Sequence, residues 1–385
     1  MKKNIKIITM IILLVTFMGN IVQAKPIIGV KFKKIITVQV SQDILDYAVR
    51  QFEVHKKGLE NSKDKLNFSM NNISKFNLGK PFNTYVYKNG QVDISNIYYF
   101  PIFEDSNIVA LLGVCNINGE YSTTFSCGFS NELSQAFDQL SQAFRIILVD
   151  DILYAVSDDG AYMVLDNNHN NDNIDNNKLN KIKNGLKVSK ETKKYSEIVI
   201  NITDGLQSNL LGVMSSSSDI SYSKVLGVSF VTQYSFSWCW AATTAAIINY
   251  KKGQNLQASD IVKEKLGKVD YNCGGQYCYD LIAIYNNHGL YPSYTHGGMT
   301  YSNVKSQLQQ NSPMHTDWYT SGYSAGHSMT VKGVQEYYSE DKLYVLMDSN
   351  VGSYQTITAK DMSYNCAYIM NSKVYTWTDT LYNFK

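Results

Sequence analysis

The hydrophobic pattern within residues 225–385 changes from helical to strand-like at Pro313. Before this proline, apolar residues recur at the spacing of helices that bury one face. The spacing predicts four helices: 239–252, 260–266 with Ser259 as its cap, 279–288 and 303–310. A glycine that can end a helix follows each of the first three, namely Gly253, Gly267 and Gly289. After Pro313, alternating apolar and polar residues predict strands over 314–319, 326–334, 343–348, 354–357 and 367–376. We therefore expect an α+β domain in which a helical half packs against an antiparallel sheet half.

Residues 25–165 have a different pattern, which predicts a separate α+β domain. Helical spacing over residues 41–58, with Ser41 as the cap, precedes a series of strand-like runs, and a second helix is expected over 132–144. The predicted strands are 84–88, 97–103, 108–116, 121–127, 146–149, 153–156 and 161–165. Helices packed on such an antiparallel meander can form an independent core. No catalytic cluster is evident in this region, and His55 is interpreted as a solvated helix residue.

Two polar stretches mark the boundary between these regions. Residues 167–177 are rich in asparagine and have little apolar area to bury, which predicts disorder. The serine-rich residues 215–219 are a natural site for proteolytic nicking. We therefore interpret residues 166–224 as a polar linker and processing region.

The first 24 residues have the three parts of a secretory signal peptide. A basic start with Lys2 and Lys3 is followed by an apolar run from Ile7 to Met18 and by small residues before Ala24. The apolar run is shorter than the roughly 20 residues that a membrane span needs. We expect export, with no membrane association once the signal is removed.

Charge and cysteine content narrow the remaining possibilities. The chain of 385 residues has a net charge of only +2, which does not favour a nucleic-acid partner. In an oxidising compartment Cys273 can pair with Cys278, and Cys115 with Cys127 across adjacent strands. The alternative is that these thiols stay free, and spacing alone does not decide between the two. A Cys-x4-Cys pair without a second pair of ligands is a weak zinc signal, so no metal site is expected.

The segment around Cys239 contains the first candidate for catalysis. Cys239 lies at the start of a predicted helix, where unpaired backbone N–H groups and the helix dipole favour a thiolate. Gln233 lies six positions upstream, and its amide can donate to the oxyanion that forms when the sulfur attacks a carbonyl. The alternative is a buried core cysteine, as free cysteines often are.

His327 is the histidine with the most informative setting. It opens the strand 326–334, and the next strand, 343–348, ends at Asp348. If the connecting hairpin is centred on Tyr337 and Tyr338, His327 lies directly opposite Asp348 and on the same face. The carboxylate can then orient the imidazole. A register shift of two residues would place Asn350 in this role instead.

This order of residues resembles that of the papain-like cysteine peptidases, in particular the compact bacterial secreted branch, the staphopain-like enzymes. The resemblance covers about residues 225–385. It implies a papain-like fold in which Cys239 is the nucleophile, His327 the general base and acid, and Gln233 the oxyanion-hole donor. Either Asp348 or Asn350 would orient the histidine.

One departure concerns the segment after the second strand. Papain-like enzymes often have Asn-Ser-Trp or Asn-Pro-Trp there, whereas this chain has Asp348, Ser349 and Asn350, followed by Val351. The orienting residue and the group that shields its hydrogen bond are therefore open.

The resemblance implies a secreted cysteine endopeptidase that needs no cofactor and acts on proteins or peptides. In such enzymes an N-terminal domain of this size resembles an inhibitory propeptide, so residues 25–165 are expected to inhibit the catalytic domain, and a retained binding module is the alternative. Two other functions are considered. One is a transglutaminase or cell-wall peptide amidase with the same triad, and the other is an inactive adhesin or binding protein.

Overall fold

The computed structural model describes residues 33–65, 73–165, 176–192, 196–204, 219–323, 325–352 and 354–385, and Lys33–Lys385 form one compact unit. Its helices are α1 (Gln42–Ser62), α2 (Ser130–Gln139), α3 (Asn176–Thr192), α4 (Cys239–Lys252), α5 (Ala258–Leu266), α6 (Ile282–Asn287) and α7 (Tyr301–Gln309). The strands of the N-terminal part are β1 (Lys34–Val38), β2 (Phe76–Leu78), β3 (Phe82–Lys88), β4 (Gln91–Glu104), β5 (Asn107–Ile117), β6 (Glu120–Ser126), β7 (Phe144–Val149), β8 (Ile152–Ser157), β9 (Tyr162–Val164) and β10 (Glu197–Asn201). The strands of the C-terminal part are β11 (Ile220–Val225), β12 (Ser293–His296), β13 (Met314–Thr320), β14 (Gly326–Tyr337), β15 (Lys342–Met347), β16 (Tyr354–Thr358), β17 (Ala367–Met370) and β18 (Lys373–Tyr382). The architecture is α+β.

The N-terminal part is a sheet that packs against α1 and α2. β3, β4, β5 and β6 follow one another as antiparallel neighbours, as the alternating pattern predicted. The prediction of an entirely antiparallel meander is wrong, because β7 pairs in parallel with both β3 and β1. β7 enters the sheet after α2, beside β3, whereas a meander would place it next to β6.

The helical half of the C-terminal part is organised around α4. The ten residues from Cys239 to Ile248 are all buried, because α4 lies between α5 and the strands β13 and β14. A helix that is apolar on all sides needs such a position. The predicted bounds of α4 are confirmed, and Gly253 ends it with a left-handed φ of 64°.

Other predicted helix bounds need correction. α5 is capped by Gln257, which forms a capping box with Asp260, and not by Ser259. The helix predicted over 279–288 is a 3₁₀ turn, Cys278–Leu281, that continues into α6. In the described part of the chain, no helix combines the length and the apolar character that crossing a membrane requires.

The strand predicted over 367–376 is two strands, β17 and β18. They form a hairpin that turns at Asn371 and Ser372, with φ values of 47° and 60°. Two consecutive positive φ values are typical of the tight turns that connect twisted antiparallel strands. β18 then runs on to pair with β13 and β12.

The hairpin of β14 and β15 has a register different from the predicted one. Glu336 pairs with Lys342, and a bulge at Lys332 shifts the ladder so that Thr330 pairs with Met347. The prediction of a turn centred on Tyr337 and Tyr338 is therefore wrong. Because β15 ends at Met347, Asp348 lies beyond the last paired residues.

One continuous sheet joins the N-terminal and C-terminal parts. Thr356 of β16 pairs with Phe125 of β6, and α1 packs across this junction. His55 of α1 is fully buried there, with Nδ1 2.6 Å from Thr356 Oγ1 and Nε2 2.8 Å from Thr123 Oγ1. The interpretation of His55 as a solvated residue is therefore wrong. Burial lowers the pKa of His55 to about 3, so the ring is neutral near pH 7.

The segment interpreted as a linker, residues 166–224, contains three elements of the fold. α3 buries Ile182, β10 pairs with β1, and β11 pairs with β14. The boundary predicted at residue 225 thus lies at the end of β11, a strand of the C-terminal sheet. Most of the asparagine-rich and serine-rich stretches lies outside the described residues, in 166–175 and 205–218.

All six cysteines lie in the described part of the chain, and none of them forms a disulfide. Of the two alternatives left open for Cys115 and Cys127, the disulfide is therefore the one that the structure does not have. Cys115 lies opposite Ser122 in the ladder, and Cys127 lies beyond the end of β6. The proposed pairing of Cys273 with Cys278 is also absent.

Candidate active site

Cys239 is the first residue of α4, at the contact between the helical half and the sheet half. Its side chain is almost buried, with 8% exposed. Trp238 fixes the helix start, because its indole N–H donates to Asp270 O at 3.0 Å and its ring stacks on Tyr271. The first N–H groups of a helix have no partner within it, so they are available to an anion at this end.

His327 faces Cys239 from the sheet half and binds Asp348 on its other side. His327 is the second residue of β14, and its Nε2 lies 2.8 Å from Asp348 Oδ1. A hydrogen bond with Cys239 also raises the pKa of the His327 ring. The structure therefore brings together three of the residues that the sequence singled out.

The pKa of His327 is raised and that of Asp348 is lowered, as is typical of an ion pair. Burial lowers the pKa of His327, but the Asp348 carboxylate, its hydrogen bond and Cys239 outweigh burial and raise this pKa to about 10. Burial raises the pKa of Asp348, whereas His327 and the other hydrogen-bond donors lower it, and the net effect is a lowered pKa. The pair thus favours an imidazolium next to a carboxylate near pH 7.

Asp348 reaches His327 by a route other than the predicted one. The carboxylate does not lie opposite the imidazole in the ladder; it follows Met347, where the chain leaves β15. Asn350, the alternative orienting residue, donates its backbone N–H to Asp348 Oδ1 at 2.8 Å, and its side-chain nitrogen lies 3.6 Å from Met370 Sδ. Of the two candidates, the geometry places Asp348 on the imidazole.

Gln233 is held at both ends of its amide. Its Oε1 accepts from Ser349 Oγ at 2.7 Å, and its Nε2 donates to Phe236 O at 3.3 Å and to Ser235 O at 3.5 Å. The backbone N–H of Gln233 also donates to Ser349 O, at 3.4 Å. The amide therefore lies between the segment that leads into Cys239 and the residue that follows Asp348.

Sequence reasoning missed three residues that surround the carboxylate and the amide. Ser349 holds Gln233, while Gln355 and Tyr368 both donate to Asp348 Oδ2. Alternation along β17 indicates that Tyr368 faces away from Ala367 and Ile369. It does not indicate which face points to Asp348, so the sequence had no signal for this contact.

A metal centre finds no support in the described residues. They include no group of three or more His, Cys, Asp or Glu side chains that could hold a metal ion. The chemistry that the site can perform is nucleophilic: a thiol at a helix N-terminus, an imidazole beside it and a carboxylate behind the imidazole.

A thiol on a helical half and an imidazole–carboxylate pair on a sheet half define the papain-like class of cysteine proteases. The model of one family, described as papain-like cysteine protease AvrRpt2, matches residues 222–361. The chain is thus a papain-like cysteine protease, a hydrolase. The matched residues include Gln233, Cys239, His327 and Asp348 and end before Tyr368. No curated protein matches the chain. The narrower resemblance to the staphopain-like branch stays a prediction.

Proposed function

We propose that this protease is a secreted endopeptidase in which Cys239 is the nucleophile, His327 the general base and acid, and Asp348 the orienting residue. The observation that carries the proposal is the alignment of His327 between Cys239 and Asp348, with Nε2 committed to the carboxylate at 2.8 Å. That bond leaves Nδ1 for exchange of a proton with the thiol and the leaving amine.

The reaction follows from these positions. The Cys239 thiolate attacks the peptide carbonyl carbon, and the imidazolium of His327 protonates the leaving amine as the C–N bond breaks. Water then attacks the thioester with His327 as the base, which releases the acid product and restores the thiol. Asp348 stays ionised and stabilises the imidazolium throughout.

Gln233 is proposed as an oxyanion-hole donor, together with the backbone N–H at the start of α4. Ser349 and the carbonyl of Phe236 hold the Gln233 amide in one orientation before substrate binds. Preorganised donors of this kind stabilise the negative oxygen of the tetrahedral intermediate without a reorganisation cost.

We also propose that the N-terminal domain inhibits the protease before cleavage, as in a zymogen. The turn between β7 and β8 supports this, because Asp151 forms an ion pair with Lys373 of β18. Two residues further along β18, burial and then the charges of Asp151 and Cys239 raise the pKa of Tyr375 well above its ordinary value. The ring of Tyr375 also packs against that of Tyr368, whose hydroxyl donates to Asp348, so the N-terminal domain contacts the hairpin that borders the site.

The experiment that tests the function uses residues 25–385, produced with and without Cys239→Ala. We expect the parent protein to cleave casein and to be labelled by a thiol-directed peptidyl epoxide, and the variant to do neither. Cys127→Ser is the matched control, because Cys127 is a partly exposed thiol at the end of β6, and it should retain both properties. Incorporation of amines into casein without cleavage would indicate transglutamination, and absence of labelling would indicate an inactive binding protein.

Export has its own test. Expression of the full chain with a reporter fused after Lys385 should direct the reporter out of the producing cell, and deletion of residues 2–24 should retain it. Equal distribution of the reporter with and without these residues would contradict the proposed signal peptide.

A further inference from the structure

We infer that Tyr368 is a positioning residue of this site: its hydroxyl orients Asp348, and its ring covers the hydrogen bond between Asp348 and His327. The inference rests on the catalytic roles proposed above and adds a residue that lies outside the segment matched by the family model. Tyr368 belongs to β17. It lies 20 residues after Asp348, beyond the hairpin that contains His327.

The contacts of Tyr368 are made with both members of the ion pair. Its hydroxyl donates to Asp348 Oδ2, and its ring stacks on His327 with a centroid separation of 6.2 Å and an interplanar angle of 17°. The side chain is fully buried. Burial, together with the Asp348 charge, raises the pKa of Tyr368 well above its ordinary value, so the hydroxyl remains a donor.

Asp348 depends on this donor because it is a fully buried carboxylate. Oδ1 is occupied by His327 Nε2 and by Asn350 N, both at 2.8 Å. Oδ2 accepts a long hydrogen bond from Gln355 Nε2, at 3.5 Å, in addition to the bond from Tyr368. Tyr368 is therefore the donor that best fixes rotation of the carboxylate plane about the Cβ–Cγ bond of Asp348.

The ring of Tyr368 occupies a place that the segment after β15 cannot fill. The residues that follow Asp348 are Ser349, Asn350, Val351 and Gly352, which include no aromatic side chain. Trp318 lies opposite His327 in the neighbouring strand and meets Tyr368 edge to face at 6.3 Å. Together the two rings surround the imidazole–carboxylate contact with apolar surface, which strengthens the contact by excluding water.

The position of Tyr368 is itself fixed from the N-terminal domain. Its neighbours Ala367 and Ile369 point the other way and are buried in the core of that domain. Thr124 Oγ1 of β6 accepts from Ile369 N at 2.9 Å and approaches Ala367 O at 3.5 Å. The backbone on both sides of Tyr368 is thus tied to β6, and of these three consecutive residues Tyr368 is the one whose side chain points to the site.

The test compares Tyr368→Phe, which keeps the ring, with Tyr368→Leu, which removes it. Loss of a hydrogen bond to a charged group predicts a fall in kcat of roughly tenfold for Tyr368→Phe, with KM little changed, and a larger fall for Tyr368→Leu. Tyr344→Phe is the matched control: Tyr344 is equally buried, and its hydroxyl makes no hydrogen bond within the described residues. This control should keep the parent kcat.

The pH dependence separates positioning from general stabilisation. Among the titratable groups, His327 and Tyr368 contact Asp348 directly, and Tyr375 interacts with it through charge, whereas Cys239 acts on His327. Removal of the Tyr368 hydroxyl takes away a group that lowers the pKa of Asp348, so this carboxylate protonates at higher pH. The acidic limb of kcat/KM should shift upward in Tyr368→Phe and should not shift in Tyr344→Phe. An unshifted limb with a parent-like kcat in Tyr368→Phe would overturn the inference.

A double-mutant cycle shows whether Tyr368 acts through Asp348. If it does, Tyr368→Phe should cost far less in an Asp348→Asn background than in the parent protein. Additive losses would show an independent, merely structural effect and would overturn the inference. The rate at which a small alkylating reagent modifies Cys239, measured against pH, gives a readout that does not need peptidase activity. If the parent protein cleaves no peptide, the proposed function fails, and a shifted alkylation profile in Tyr368→Phe still supports the positioning role.

Discussion

The Ser349 hydroxyl donates to Gln233 Oε1 at 2.7 Å, so the residue next to Asp348 also orients the proposed oxyanion donor. The carboxylate that holds His327 and the hydroxyl that holds Gln233 are therefore consecutive side chains on one short segment. Movement of this segment would disturb proton transfer and oxyanion stabilisation together. Gln233 and His327 are thus both held by side chains of residues 348 and 349.

Gln233→Ala should lower kcat by roughly a hundredfold to a thousandfold, because one oxyanion donor is worth about 2.7–4 kcal/mol in the transition state. Ser349→Ala leaves the amide in place but unanchored, so we expect a smaller loss in kcat. Steady-state kinetics with a peptide substrate measure both. If Gln233→Ala has the parent kcat, the role of Gln233 is structural. The prediction that Gln233→Ala loses more kcat than Ser349→Ala would then also be wrong.

Cys239→Ala and His327→Ala should each abolish hydrolysis, because each removes a group that makes or breaks bonds. The thermal unfolding midpoint of Cys239→Ala should stay close to the parent value, since a single atom is removed. His327→Ala should lower the midpoint, because the buried Asp348 carboxylate loses its charged partner. His288→Ala is the control, because His288 binds Glu264 Oε2 at 3.0 Å on the surface of the helical half. Residual activity above a few per cent in either catalytic variant, with contaminants excluded, contradicts the mechanism.

Asp348→Ala should reduce kcat more than Asn350→Ala does. Asp348 binds the imidazole directly, whereas Asn350 contributes a backbone N–H that the substitution keeps. Loss of the carboxylate also removes the main group that raises the pKa of His327. The alkaline limb of kcat/KM should therefore move to lower pH in Asp348→Ala. The reverse ranking of the two variants would assign the orienting role to Asn350.

His55 should make the junction between the two parts sensitive to acid. Its pKa is lowered from 6.5 to about 3 by burial, so the unfolded chain binds a proton that the folded protein does not between these values. The free energy of unfolding therefore has its full value above about pH 6.5. It decreases as the pH falls towards 3, by about 1.4 kcal/mol per pH unit, because protonation of His55 favours the unfolded chain. His55→Gln keeps a polar group near Thr123 and Thr356 but does not titrate. Denaturant unfolding between pH 7 and pH 4 should show a steeper loss for the parent, and equal slopes would contradict the assignment.

A cut within residues 211–219 should leave the N-terminal domain attached. β6 and β16 stay paired without the covalent connection, and Gln335 Nε2 donates to Gly58 O at 2.8 Å across the junction. Cuts after Ile220 should be slower, because β11 is paired with β14. We expect the two fragments to elute together in size-exclusion chromatography, and activity to rise only as the N-terminal fragment is degraded. Separation of the fragments directly after cleavage would contradict this order of events.

The sequence by itself determined the features that depend on neighbouring residues. Helical spacing and Gly253 were enough to place α4 with Cys239 at its start, because a helix and its C-terminal glycine are local structures. The strand that begins near His327 followed from alternation, and the α+β class followed from helical spacing before Pro313 together with alternation after it.

Only the tertiary structure decided which side chains meet. The hairpin turns around Ser339 and not between Tyr337 and Tyr338, and the bulge at Lys332 shifts the ladder by one residue. Asp348 still reaches His327 because the chain leaves the ladder after Met347. Pattern reasoning could not foresee a single extra residue in a strand, because a bulge is stabilised by packing between elements distant in sequence. The same reason accounts for the contact of Tyr368 with Asp348 and for the burial of His55 between β6 and β16. Both contacts form when parts of the chain that are distant in sequence pack together, and a local sequence pattern does not show which surfaces will pack.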